Sequence, residues 1–276
     1  MFILYDLNMK QIPFPDGIVP LDIFVSSIAK ERQTETIPGR VGVADYGSEY
    51  RERSVDLSLM IKSYNAMFYR TQRNRLYELF SEHDVFYIAE SHLPSRVLKV
   101  AVDDSYIPER IPGNAYASTA EITCRTLDSV FWESIYTTKE LHDTGYDAAV
   151  AKYGLVDNID TNQTQYEFTT SEFSIWNAGN VTIEPEFMYL IIRLNYAYGA
   201  NGVSIKNLTT GESFILNTAV SGSHVVLNGM DIRRGALNAL RESNRQRIRL
   251  LPGKNDFEIV ADSFDIARVE TRFYYK

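Results

Sequence analysis

Apolar and polar positions alternate along much of the chain, most clearly at Val55, Leu57, Leu59 and Ile61, between which Ser54, Asp56 and Ser58 point the other way. A period of two is the mark of a strand with one buried face. The pattern then changes. Asn65 is a helix-capping residue, and Phe68, Leu76, Leu79 and Phe80 recur on one side while Arg70, Gln72, Arg73 and Glu82 fall elsewhere, which predicts a helix over 65–82. Strand patterns return over 84–90, 96–103 and 116–127. One helix on a mainly antiparallel sheet makes this first unit α+β.

Periodicity weakens from Val130 to about Thr164, where Thr144-Gly145-Tyr146-Asp147, Asp157-Asn158 and Asp160-Thr161-Asn162 supply turn residues. A short helix at Asp147 to Lys152 is the one element expected there. Beyond it come eight short strand patterns: Tyr166 to Trp176, Phe187 to Tyr196, Val203 to Leu208, Ser213 to Asn217, His224 to Leu227, Gln246 to Leu251, Asp256 to Ala261 and Phe264 to Tyr274. They are separated by turn chemistry such as Asn177-Ala178-Gly179-Asn180, Thr209-Thr210-Gly211-Glu212, Asn228-Gly229 and Pro252-Gly253-Lys254-Asn255. That reads as a jelly-roll or related sandwich. The expectation is a mainly β chain with a domain over 1–135, a connector over 136–164 and an all-β domain over 165–276.

Composition narrows the function classes. The 276 residues suit two domains, and 45% hydrophobic with 23% charged residues argues against disorder, collagen-like repeats and a coiled coil. Lys plus Arg minus Asp plus Glu is 28 − 36 = −8, the wrong sign for gathering phosphate backbones, so specific nucleic-acid binding is not expected. Arginines cluster at Arg70, Arg73 and Arg75 and at Arg241, Arg245, Arg247 and Arg249, but Glu78, Glu82 and Glu242 are interleaved, as on solvated faces or interface salt bridges. No apolar run approaches the ~18 residues of a membrane span, and the N-terminus lacks a basic n-region, so a soluble protein is expected.

Candidate chemistry is sparse. Cys124 is the single cysteine and falls on the apolar side of an alternating run, as a small core residue does. His83, His92, His142 and His224 show no metal-ligand spacing, and zinc, phosphate-loop, dinucleotide and nucleophile-elbow motifs are missing, so no catalytic residue, metal or cofactor is assigned. Two carboxylate pairs, Glu184 with Glu186 and Asp103 with Asp104, are the nearest approach to a glycoside-cleaving arrangement, and both look like solvated edges. Exposed aromatics are the other currency: Trp176, Tyr196 and Tyr198 near strand ends could stack on a sugar, with Trp176 alternatively in the sandwich core. Trp132 is expected to plug the junction between domains.

The order of these features resembles the distal tail proteins (Dit) that form the baseplate hub of tailed phages of Gram-positive bacteria. In the first unit the resemblance rests on Pro38-Gly39-Arg40, Gly42, Tyr46-Gly47, the strand from Arg53 to Ile61, and the helix ending Arg75-Leu76-Tyr77-Glu78-Leu79-Phe80. It continues through Phe86-Tyr87-Ile88, Arg96 to Asp103, and Leu127 to Ser134. In the second unit it rests on Phe173 to Asn180, Pro185-Glu186, Asn207 to Glu212, and Leu251-Pro252-Gly253-Lys254-Asn255.

The resemblance implies a structural virion protein without catalysis. Its N-terminal belt domain would close into a hexameric ring around the tail channel, and its C-terminal domain would be a galectin-like sandwich. Partners would be further copies of itself, the tail tube protein, the tail-tip or tail-associated lysin protein, and a receptor-binding protein, with assembly in the bacterial cytoplasm. Strand edges at Phe2 to Asp6 and Tyr116 to Leu127, with Arg70, Arg73 and Arg75, are the candidate ring contacts. The loop Met230 to Asn244, with Arg233, Arg234, Arg241 and Arg245, is the candidate docking patch for an acidic partner. The alternatives are a carbohydrate-binding sandwich using Trp176, Tyr196 and Tyr198, and a glycan-active enzyme using Glu184 or Glu186.

Overall fold

The structure, a computed structural model, describes residues 1–114, 116–145, 158–160 and 162–276. These form two compact units, Met1–Trp132 and Glu133–Lys276. The helix expected at Asp147 to Lys152 lies outside the described residues.

In the first unit the elements run β1 (Phe2–Tyr5), β2 (Gln11–Ile12), β3 (Ile18–Val25), β4 (Lys30–Glu35), β5 (Ala44–Tyr50), β6 (Ser54–Lys62) and α1 (Ala66–Glu82). They continue β7 (Val85–Glu90), β8 (Leu93–Ala101), β9 (Glu109–Arg110) and β10 (Ala117–Thr126). The main sheet has the order β2-β1-β7-β8-β10-β6-β3, with β9 added along β10. Val55, Leu57, Leu59 and Ile61 are all fully buried, as their alternation requires, at about 1.5–3 kcal/mol each. Helix α1 starts where Asn65 Oδ1 accepts the Phe68 N–H at 2.8 Å, and it presses Leu76, Leu79 and Phe80 onto that row.

The two expected edges, Phe2 to Asp6 and Tyr116 to Leu127, are partly covered. β7 pairs with the whole of β1 but β2 only with Leu4 and Tyr5. β6 pairs along β10, while β8 meets only Arg125 and Thr126 and β9 only Ser118 and Thr119, so the stretch 120–124 has no ladder partner on its second side among the described residues. The long terminal strand of the path is β3, which the alternation did not reveal because Pro20 and a register shift between Pro20 and Asp22 interrupt it. Proline and bulges are tolerated at an edge because no ladder has to continue past them. β4 and β5 form a separate two-stranded sheet, of which Ala44 alone is buried.

Strand β11 (Trp132–Ser134) straddles the boundary, Trp132 belonging to the first unit; in the second unit the Ser134 N–H donates to the Phe273 carbonyl at 2.8 Å, and α2 (Thr138–Thr144) follows. Helix α2 stands in the weakly patterned stretch and was announced by a signal the periodicity reading passed over. Thr137 and Glu140 form a capping box, each side chain bonding the other's backbone N–H.

Strands β12 (Glu167–Phe168), β13 (Glu172–Asn177), β14 (Leu190–Gly199), β15 (Val203–Asn207), β16 (Glu212–Leu216) and β17 (Val220–Asn228) follow. The last are β18 (Asp231–Arg234), β19 (Leu237–Asn238), β20 (Gly253–Val260), β21 (Ile266–Thr271) and β22 (Tyr274–Tyr275). Apart from β22, which pairs with β11, they make a six-stranded sheet, β12-β21-β14-β17-β18-β19, and a four-stranded sheet, β13-β20-β15-β16. Their inner faces meet where Phe168 stacks on Phe173 at 4.2 Å and Phe173 on Phe257 at 5.5 Å. The chain is thus mainly β, with antiparallel sheets in both units.

Three expectations about this unit are corrected. The single strand from Tyr166 to Trp176 is two strands in different sheets, because exposed Thr169, Thr170 and Ser171 break it. Gln246 to Leu251 makes only a bridge, Ile183 to Leu250, and buried asparagine side chains hold it instead of a ladder. The loop from Met230 to Asn244 is a hairpin extension, β18 and β19, closed by a 3-10 turn at Leu240–Glu242.

Candidate functional site

Among the described residues the candidate groups lie on open surfaces, so the sites to weigh are surfaces. In the first unit the outward face of β3, β6 and β10 is ordered by register: Asp22 stands beside Ser58 and Ser58 beside Glu121, while Phe24 stands beside Asp56 and Asp56 beside Thr123. Thr123 Oγ1 donates to Asp56 Oδ1 at 2.7 Å. Asp104 and Glu109 join Glu121 along an open groove of about 680 Å³ beside β10. None of Asp22, Asp56, Asp104, Glu109 and Glu121 has an ion-pair partner among the described residues, whereas the neighbouring Asp103 is held by Arg125. The face is therefore hydroxyl-rich and negative.

The β4–β5 arm is bound within itself by charge. Arg32 pairs with Asp45, Arg51 with Glu31, and the Tyr46 hydroxyl donates to Glu35 at 3.0 Å. The Gly47 N–H donates to Asp45, and with Arg32 it holds that carboxyl below its ordinary range. Val41 at its tip is fully exposed, and Val43, Tyr46 and Tyr50 are more than 40% exposed. A hairpin this exposed is marginal on its own in water, and Tyr50 braces it edge-on against Phe131 with ring centroids 5.5 Å apart.

The three helix arginines do not share one face. Arg70 and Arg73 are a turn apart, but Arg75 is rotated about 140° from Arg70 at 100° per residue. Arg73 lies over the Tyr77 ring at 5.8 Å and bonds Asn74, so Arg70 and Arg75 remain as separate exposed cations. The second arginine group is likewise dispersed: Arg233 pairs with Asp231 at 2.7 Å and Arg234 with Glu242 at 3.2 Å, leaving Arg241 and Arg245 exposed.

The three aromatic candidates also separate. Trp176 sits on β13 with its Nε1 donating to the Asn158 carbonyl at 2.9 Å; Ile175 takes the core position, so Trp176 is neither a core residue nor a neighbour of the tyrosines by sheet. Trp132 is half-buried and packs on the first unit's core. Tyr196 and Tyr198 lie together on β14 in the six-stranded sheet. Leu190, Ile192 and Leu194 point inward, and then a register shift between Leu194 and Ala197 reverses the alternation, so that Ala197 is inward and both tyrosines are outward. Tyr196 takes φ +46, and its ring packs on His224 with centroids 4.6 Å apart. His224 was missed by sequence reasoning, since only the pairing of β14 with β17 brings it there.

The remaining chemistry is structural. Cys124 is 2% exposed, and burial, then Asp56 and Asp103, push its thiol up to about 12, which makes it inert as a nucleophile. Glu186 faces Arg247 at 3.6 Å, and Glu184 lies in the turn that leads to Met188. His142, Asp143 and Glu167 bring ligand atoms within 4.8 Å of one another, but Lys139 bonds Asp143 and Arg268 holds Glu167 at 2.5 Å, so both carboxylates already have cations.

Residues 14–124 match the family model of the phage tail protein RIFT-related domain. No curated protein matches the chain. Among solved structures, the Dit protein of phage SPP1, described as a paradigm of the hub adsorption apparatus in phages infecting Gram-positive bacteria, superposes with a TM-score of 0.65 at 12% identity, covering 99% of both chains. The phage P2 baseplate in its activated conformation with Ca gives a TM-score of 0.45 at 11% identity, covering 99% of this chain and 97% of that one.

Proposed function

We propose that this chain, a phage tail protein by its RIFT-related domain and of the Dit fold over its length, is a distal tail hub that closes into a hexameric ring between the tail tube and the tail-tip protein. The family match and the fold support a structural baseplate component of the virion. The observation that carries the reading is the coincidence of the two: the tail-domain match falls inside the first compact unit, while the fold agreement extends across both.

The surfaces of the first unit support it physically. A channel that DNA traverses must not bind phosphate, and the five carboxylates beside β10, β6 and β3 that lack an ion-pair partner among the described residues would repel it if this face lined the bore. A ring needs a heterologous contact that closes on itself. With β3 interrupted by Pro20 and its bulge, strand addition is disfavoured, and the exposed β4–β5 arm is the better-suited contact to a neighbouring copy. The second unit, outside the tail-domain match, would carry the tail-tip and receptor-binding partners.

The test is the mass of the purified full-length chain by light scattering over a concentration series, with negative-stain imaging. The expected particle is annular at 6 × 31.5 = 189 kDa. Monomers at every concentration, also after mixing with the purified tail-tip protein, would sink the ring.

A further inference from the structure

We infer that the outward face of the six-stranded sheet around Tyr196 and Tyr198 is a saccharide-binding platform that prefers glycans bearing an anionic substituent. The site is independent of the hub reading and belongs to the second unit alone.

The platform is built at a cost that the fold itself does not require. Uninterrupted alternation from Leu190, Ile192 and Leu194 would send Tyr196 and Tyr198 into the core. The bulge sends them out, leaving them 54% and 48% exposed. It also places Tyr196 at φ +46, a region that costs a non-glycine residue about 1–2 kcal/mol. Bulges of this kind commonly re-aim a side chain beside a functional surface.

The rings are held rather than loose. Tyr196 packs on His224, whose Nδ1 is buried without a hydrogen-bond partner among the described residues. Tyr198 lies across Gly222, where a Cβ would come 2.8 Å from its hydroxyl oxygen, so only glycine lets the ring settle there. The result is a braced aromatic surface with a small hydroxylic neighbour, Ser221, opposite Tyr198 on the adjacent strand. Rings flanked by the Ser221 hydroxyl and the His224 imidazole match a pyranose, whose apolar face stacks while its hydroxyls are hydrogen-bonded.

Charge selects within that class. Arg193 is the next outward residue of β14, and register aligns it with Arg268 on β21 and, through Val226, with Arg233 on β18. Arg268 is neutralised by Glu167 and Arg233 by Asp231, but Arg193 has no ion-pair partner among the described residues. A phosphate or carboxylate on a sugar stacked on Tyr196 meets this free guanidinium, which binds either oxyanion in a bidentate manner.

The experiment probes a microarray of bacterial surface glycans with the labelled full-length chain, using backbones presented with phosphate, with uronate and without charge. Retention is expected on anionic glycans, with a tenfold or greater loss of affinity in Tyr196→Ala and Tyr198→Ala and little change in Tyr196→Phe. Arg193→Gln is expected to equalise anionic and neutral forms of the same backbone. Tyr196→Gly, which relieves the positive φ, separates folding from binding: it should remain folded by thermal melting and lose retention. Absence of retention on every glycan, or retention unchanged in the Tyr196→Ala, Tyr198→Ala double variant, overturns the inference. The oligomeric mass of the same variants should not change, so failure here is distinguishable from failure of the ring.

Discussion

Gly17 lies directly against the buried amide of Gln72: a Cβ at position 17 would come within 3.2 Å of Gln72 Cδ and 2.9 Å of the Lys62 carbonyl oxygen. Gly17 also has φ +84, while its own carbonyl accepts the Lys62 N–H at 2.8 Å. The turn before β3 and the middle of α1 are thereby fitted to each other. Gly17→Ala is expected to destabilise the chain by about 1–3 kcal/mol, from strain and displacement together. Gln72 is fully buried with neither amide atom hydrogen-bonded among the described residues, so Gln72→Leu should gain about 1 kcal/mol. Denaturant titration checks both, and an equal loss in Gln72→Leu would refute the account.

Asn207 and Asn255 are the corresponding pair in the second unit. Asn207 Nδ2 donates to the Arg249 carbonyl at 2.7 Å and to Asn255 Oδ1 at 3.2 Å, and Asn255 Nδ2 bonds the carbonyls of Leu251 and Gly253. These bonds replace a ladder for the segment around Leu250. Either residue changed to Ala should cost about 1–3 kcal/mol by stranding buried carbonyls. The double variant should cost less than the sum, as expected for partners in one network. Strict additivity in chemical denaturation would contradict this.

Cys124 should link stability to alkaline pH. Its folded-state value of about 12 exceeds the ordinary thiol value, so the unfolded chain releases the proton first and binds fewer protons above pH 9. Stability should therefore be flat below about pH 9 and fall by up to ~1.4 kcal/mol per unit above it. Tyr106, also raised to about 12 by burial, adds to the fall above its ordinary value near 10. Cys124→Ala should reduce the slope between pH 9 and 10, and a thiol reagent should label the native chain only after denaturant is added.

Removing the β4–β5 arm between Ala29 and Arg51 through a short glycine linker should leave the first unit folded, since the main sheet does not include it. The same deletion should abolish the 189 kDa particle if the arm joins neighbouring copies. Circular dichroism and light scattering on one sample read the two effects separately.

The legible parts of the fold were those with a strong local signal. The β6 alternation and the Asn65-capped helix needed only neighbouring residues, and both formed as the pattern required. The arm was hidden because hydrophobic periodicity reports burial, and almost nothing in the arm is buried. Helix α2 was missed for a related reason, because a seven-residue element shows too little period and is declared by its capping box instead. Of the residues in the proposed saccharide platform, Tyr196 and Tyr198 can be named from their type and position, while His224 and Arg193 enter only through strand pairing.

By itself, then, the sequence determined the mainly β class and the core rows, because these follow from period and turn chemistry within a few residues. Only the tertiary structure decided which stretches of strand are edges, since that depends on partners distant in the chain: β6 pairs along β10, while β8 and β9 cover only the two ends of its other side. The same holds for the direction of Tyr196 and Tyr198. One residue of slip between β14 and β17 reverses every side chain beyond it, and no local pattern records where two strands fall out of step.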